Sequence, residues 1–242
     1  MSEQLGQFLP YILIVAGVGI SGGVLAAFWT PGVGARSAVQ HFAAGAVIAA
    51  MASEIVPEVK RIGHPFGVIC GFAAGGLAMI GLKWITLRFE RRERSKGKAP
   101  VGLAAAAATD TAIDGAIISA GFSAGRRLGA LLAVALAVEL FFLTLSVGSE
   151  FQKGKPRRLA GVALTSGIAA LLVLGFLAEQ VLLKDASEAV VAVVLSFGAA
   201  ALIYLIAEEL LVESIQAEEN LFSTATLFAG FLAIFTFDLL GR

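Results

Sequence analysis

Asp110 and Asp114 stand four positions apart inside an apolar stretch running from Val101 to Phe122, and Glu139 stands near the middle of the next one, Leu128 to Gly148. On a helix a spacing of four puts both aspartates on one face, with Thr111 beside them. Other acids lie toward the ends of such stretches: Glu54 and Glu58 in the second, Glu208, Glu209 and Glu213 in the seventh. A charged side chain at the centre of a bilayer costs at least about 2.5–3.5 kcal/mol on insertion scales, so acids at that depth need a partner or a purpose. No Lys or Arg sits at comparable depth in the sequence, so these carboxylates are expected to take up protons, bind cations or face water. Three oxygen-donor acids on two successive helices at mid-membrane are the chemistry of a cation site. Isolated acids near helix ends, Glu179 and Asp238, fit the plainer role of hydrogen-bonding between helices.

The elements that carry these residues follow from composition. Of 242 residues 58% are hydrophobic, 28 more are glycine and only 15% are charged, against about 25% charged in soluble domains. Mean hydropathy is +0.87. No water-soluble surface can be built from what remains, and the expected fold class is all-α, a polytopic membrane protein. Runs of about 20 apolar residues, the length a span needs, predict eight transmembrane helices: approximately 8–28, 37–56, 66–87, 101–122, 128–148, 159–183, 189–211 and 221–240. They form a single transmembrane domain, 1–242, whose one substantial hydrophilic segment is the basic loop 88–100. The net charge of zero gives no reason to expect nucleic-acid binding, and the single Cys70 excludes an intrachain disulfide.

With the N-terminus outside, Arg36, the run from Lys83 to Lys98 and the cluster Lys153, Lys155, Arg157 and Arg158 fall on the cytoplasmic side. That places twelve basic residues inside against six outside, so the positive-inside rule predicts both termini out and a cytoplasmic basic loop. Neither a Walker A pattern nor a Gly-rich nucleotide loop appears. Gly121-Phe-Ser-Ala-Gly125 matches Gly-x-Ser-x-Gly in letters alone, because it ends a helix with no histidine downstream. No enzymatic activity is expected. His41 and His64 read as interfacial histidines, with His64 and Glu58 near enough in sequence to attract cations. The small-residue spacings Gly19 to Gly23, Gly71 to Gly75 and Gly121 to Gly125 permit close helix contact and would suit one helix group sliding on another.

An internal repeat is also legible. Ala52-Ser-Glu-Ile-Val-Pro-Glu58 and Ala207-Glu-Glu-Leu-Leu-Val-Glu213 share the pattern Ala-x-Glu-aliphatic-aliphatic-x-Glu, and the same offset pairs Phe42 with Phe197 and Ala44 with Ala199. The second and seventh helices cross the membrane in opposite senses, so the expected arrangement is an inverted 3+2+3 repeat, as in many secondary transporters.

The stretches Phe42-Ala-Ala-Gly45 to Glu54-Ile-Val-Pro-Glu58, Ile113-Asp-Gly-Ala116 and Leu202-Ile-Tyr-Leu-Ile-Ala-Glu-Glu-Leu-Leu-Val-Glu213 resemble the second, fourth and seventh helices of the ZIP family of divalent metal transporters. The resemblance covers essentially the whole chain, including helix number and the cytoplasmic third loop. The family's fourth helix carries His-Asn-x-Pro-Glu-Gly. Aligned on Gly115, those positions hold Asp110, Thr111, Ile113 and Asp114 here. The family's fifth-helix His-Glu-x-Pro pattern finds Val138, Glu139 and Phe141, with Phe142 at the next metal-facing position, and Glu209 matches the metal-proximal acid of the seventh. Both signature histidines are absent.

The resemblance implies a secondary transporter carrying a divalent cation into the cytoplasm, with Asp110, Asp114 and Glu139 as core ligands, Glu209 assisting and Thr111 a weaker donor. A site of carboxylate and hydroxyl oxygens is harder than one with imidazole, which shifts relative preference from Zn²⁺ toward Mn²⁺, Mg²⁺ or similar ions, while Zn²⁺, Fe²⁺ and Co²⁺ stay among the candidates because carboxylates ligate them too. Lost donors at Val138 and Phe142 imply one metal where relatives hold two. Elevator-like movement of helices one, four, five and six against the rest is likewise an implication of the resemblance. The metal is expected as substrate, the other partners being the lipid bilayer and a second copy of the chain in a homodimer. The expected location is the cytoplasmic (inner) membrane of a bacterium. The alternative is a ZIP-like scaffold without transport, acting as a membrane sensor or interaction protein.

Overall fold

A computed structural model describes residues 2–29, 31–94, 101–152, 158–183, 186–211 and 221–240. Helices α1 (Ser2–Ala26), α2 (Val33–Ile62), α3 (Pro65–Arg94), α4 (Val101–Ala124), α5 (Arg126–Gln152), α6 (Arg158–Leu182), α7 (Glu188–Leu205, continued by a wider turn to Leu210) and α8 (Leu221–Leu240) follow one another, with no strand among the described residues. All eight are long and apolar enough to cross a membrane, and the chain is an all-α polytopic membrane protein. In lipid every backbone N–H and C=O must be satisfied within its own segment, and helices do this. The connections are short, and Gly63, at φ 72°, makes the left-handed turn between α2 and α3. Residues 95–100, Lys153, Lys155, Arg157, Lys184, Glu213 and Arg242 lie outside the described residues. The bundle has a terminal face, where α1 begins and α8 ends, and a loop face, where α3 ends and α4 begins.

Helices α1, α4, α5 and α6 interlock as one group, and α2, α3, α7 and α8 flank it as two pairs, which meet each other through α2 and α7 and together make the other group. Packing is closest between α2 and α8 and between α3 and α7 in one group, and between α1 and α5 and between α4 and α6 in the other. Glycine makes these contacts possible. The carbonyl of Leu172 occupies the space a Cβ on Gly115 would take, and that of Ala112 does the same at Gly175, so α4 and α6 touch backbone to backbone. Gly45 and Gly230 join α2 to α8 in the same way. The spacings singled out in the sequence also lie inside the groups: Gly19 meets Leu140, Gly23 meets Thr165, Gly71 and Gly75 meet the α7 backbone, and Gly121 meets Gly129. Apart from Gly125, which has nothing within 4 Å of where a Cβ would be, they hold helices of one group together and do not line the boundary between groups, so the sliding surface expected of them is corrected. At that boundary Gly198 of α7 meets the Ile117 side chain of α4.

Contacts recur at fixed offsets, which gives the inverted repeat a physical form. The Phe42 carbonyl faces Gly230, and 155 positions on in one case and back in the other, the Phe197 carbonyl faces Gly75. Thr226 donates to the Ala38 carbonyl (2.6 Å), and Gly71 abuts the carbonyl of Val193. Between α1, α4, α5 and α6, Gly175 on Ala112 answers Gly22 on Phe141, and Gly115 on Leu172 answers Thr144, whose hydroxyl donates to the Gly19 carbonyl (2.7 Å). The operation therefore exchanges α1 with α6, α2 with α7, α3 with α8 and α4 with α5. It also matches two π-helical turns, Met51–Ile55 in α2 and Ile206–Leu210 in α7. Pro57 explains the first: it has no N–H for the Ser53 carbonyl and its ring crowds that carbonyl, so the preceding turn widens. The α7 turn has no described proline, and nothing in the structure explains it.

Candidate metal centre

Asp110 and Asp114 leave α4 one turn apart and meet Glu139 from α5. Each offers a carboxylate oxygen, these atoms lie within 4.8 Å of one another, and all three residues are buried. Under the exchange of α4 with α5, 29 positions apart, Asp110 is the counterpart of Glu139, while Asp114 corresponds to Leu143. The centre is thus a symmetric pair of acids with a third added on one side. Three ionised carboxylates this close in a low-dielectric interior require positive charge among them, from protons or from a metal cation.

Thr111 is fully buried on the same turn, and its Oγ1 makes no hydrogen bond in the structure. A threonine inside a helix ordinarily donates to the carbonyl four residues back. Thr109, Thr144 and Thr165 all do so here, at 3.0, 2.9 and 3.1 Å. Thr111 departs from that pattern beside the acids, as a hydroxyl reserved for a ligand would.

A cavity of about 920 Å³ leads from Glu139 to the loop face. Phe142, Ser146 and Ser149 line it from α5, Arg36 and Gln40 from α2, Lys83 from α3, and Ala106 and Ala107, one turn before Asp110, from α4. Toward the terminal face the described side chains are closely packed. Phe8 stacks on Phe122 at 4.4 Å between ring centroids, Phe122 meets Phe176 edge-on, and Ile55, Leu131 and Ala135 are buried.

The other sequence candidates fall elsewhere. Glu209 lies in the α7 π-helical turn, but its side chain is outside the described residues. Its neighbour Glu208 lines the cavity and pairs with Lys83. Glu58 is paired with Arg61 at 2.7 and 2.8 Å. His41 Nδ1 lies 2.8 Å from the Ser37 carbonyl, a local structural contact. Glu179 accepts a hydrogen bond from Ser119, as expected of an isolated acid. The expectation that no cation reaches the acids of the spans is corrected for four of them, Glu58 with Arg61 being one. Arg127 pairs with Glu54 and Asp238, and Lys83 with Glu208, because long basic side chains rooted near helix ends extend inward.

No protein-family model matches the chain, and no curated protein matches it. Fold and site together define an integral membrane protein with eight membrane-length helices among the described residues and a buried three-carboxylate centre.

Proposed function

We propose that the chain is a ZIP-like secondary transporter that moves a divalent cation across the membrane into the cytoplasm, with Asp110, Asp114 and Glu139 as its ligands. The observation that carries this reading is the convergence of three buried carboxylates within 4.8 Å, one of which, Glu139, lines a cavity that reaches one face of the bundle. The distribution of basic residues makes the loop face cytoplasmic, so the cavity is the exit side. Thr111 supplies a fourth oxygen, and Glu209 lies one residue beyond Glu208 at the cavity wall. A donor set of oxygens favours Mn²⁺ and Mg²⁺ relative to Zn²⁺. A potential negative inside drives a dication inward by about 4.6 kcal/mol per 100 mV, twice the value for one charge, and no nucleotide is needed.

Purified protein in liposomes tests this directly. Uptake of at least one of Mn²⁺, Zn²⁺, Fe²⁺, Co²⁺ and Mg²⁺ above empty vesicles, lost in Asp114→Asn, is expected; no flux for any of them overturns the transport reading. The absence of both signature histidines favours a second reading, a membrane sensor that binds a cation without carrying it. Cation-dependent heat protection without flux would select that alternative.

A further inference from the structure

The three acids stand on α4 and α5 and the cavity opens between the helix groups toward the loop face, whereas on the terminal face a charged cluster bridges the same boundary. Arg127, in the first turn of α5, belongs to the group that carries the acids. Its Nε lies 3.0 Å from Glu54 of the α2 π-helical turn and donates at 3.0 Å to Asp238 of α8, both in the opposite group. A terminal nitrogen donates to the Asp238 carboxylate and also to its backbone carbonyl. That carbonyl is among the last four of α8, which have no partner within the helix and sit at the negative end of its dipole. The Asp238 side chain is fully buried, whereas Arg127 is 40% exposed. An acid buried so deeply requires its partner, because removing one member of a buried ion pair leaves an uncompensated charge. One residue thus holds two helices of the other group, about 18 Å along α5 from Glu139.

The two faces differ in this respect. At the position in α3 that corresponds to Asp238 stands Lys83, and it pairs with Glu208 of α7, inside its own group. The pair that crosses the boundary at the loop face, Arg36 with Glu150 at 3.6 Å, stands on the wall of the open cavity. The Arg127 cluster caps the closely packed side.

We propose that Arg127, Glu54 and Asp238 form an ionic latch that holds the terminal face shut, and that they must part before the carboxylate centre can communicate with that face. The latch rests on the transport reading for its purpose, but its test needs no flux. Ala135 is fully buried and lies about two turns from Arg127 along α5, one turn above Glu139 and on the same face as Glu139. In a Cys70→Ala background, which removes the exposed native thiol, a cysteine introduced by Ala135→Cys reports opening of the terminal face to a small water-soluble thiol reagent. One introduced by Ser149→Cys reports the loop-face cavity.

With the latch intact, the Ala135→Cys thiol is protected and the Ser149→Cys thiol reacts. Arg127→Gln and Asp238→Asn are each expected to raise the first rate by about tenfold or more, as the populations of the two states shift, and to lower the second. Unchanged protection at Ala135→Cys in both variants overturns the latch. If both thiols become reactive together, the swapped pair Arg127→Asp with Asp238→Arg decides: protection regained supports the latch, and protection still lost overturns it. Wild-type flux in the same vesicles is a separate readout, so transport can fail while the latch stands, and the reverse.

Discussion

Asp110, Asp114 and Thr111 occupy a single turn of α4, and their different chemistries separate in simple substitutions. If the carboxylates hold a cation, saturating ion stabilises the folded state by linkage, by about 2.7 kcal/mol at a concentration one hundred times Kd. Asp114→Asn is expected to abolish that protection in a detergent melting experiment with and without Mn²⁺. Thr111→Val should act in two opposite directions. Removing a buried hydroxyl without a partner is expected to raise metal-free stability by roughly 1 kcal/mol, while cation affinity falls severalfold, since a donor oxygen is lost. A Thr111→Val protein that is no more stable and binds as tightly as wild type would show the hydroxyl to be a bystander. At this scale the centre was legible from sequence, because a spacing of four and two adjacent spans are enough to bring three acids together. Arg127 was not. It stands next to a loop, and how far a long side chain reaches back into a bundle depends on which helix ends lie beside it, which periodicity does not encode.

At the level of helices, glycine decides which pairs can touch. A methyl group on Gly115 or Gly175 would meet a backbone carbonyl, which cannot rotate away, so either Gly→Ala change must push α4 from α6. A loss of about 1–3 kcal/mol, the usual cost of overpacking, is expected, with weaker cation binding because Asp110 and Asp114 move with α4. Gly17 and Gly76 have nothing within 4 Å of where a Cβ would be, and alanine there should be neutral or slightly stabilising. Thermal melting of the four variants side by side checks the contrast. The eight helices were readable from hydropathy to within a few residues at most ends, although α2 runs on to Ile62, past the predicted stop at Val56. The π-helical turns were not readable. An apolar segment satisfies its environment equally with one residue more per turn, so the hydrophobic pattern is silent there, and only Pro57 marks the first of the two.

For the molecule as a whole, the sequence repeat foretold the inverted halves, and the packing shows what they make: one interlocked group of four helices flanked by two close pairs, with the backbone-to-backbone contacts inside the group and the pairs and a side-chain contact, Gly198 on Ile117, at the boundary. Motion along that boundary is expected to be required for flux. Oxidation of a cysteine pair made by Gly198→Cys and Ile117→Cys, which face each other across it, should stop cation uptake, and reductant should restore it. A pair at Ala38→Cys and Thr226→Cys, inside one group, should leave uptake unchanged. Equal inhibition by both pairs would remove the boundary from the mechanism. Periodicity alone does not give the grouping, which depends on which glycine faces meet; it was the family resemblance that set helices one, four, five and six against the rest. The hydrogen bond from Thr226 to Ala38 spans 188 positions. At roughly 5–20 residues per second of synthesis, α2 waits about 10–40 s in the bilayer before α8 has been made. During that interval its small-residue face is open to lipid or to other newly inserted segments. The order of manufacture thus runs against the order of packing, and a ribosome that stalls before residue 221 leaves a chain with seven helices and a group that cannot close, a natural substrate for membrane quality control.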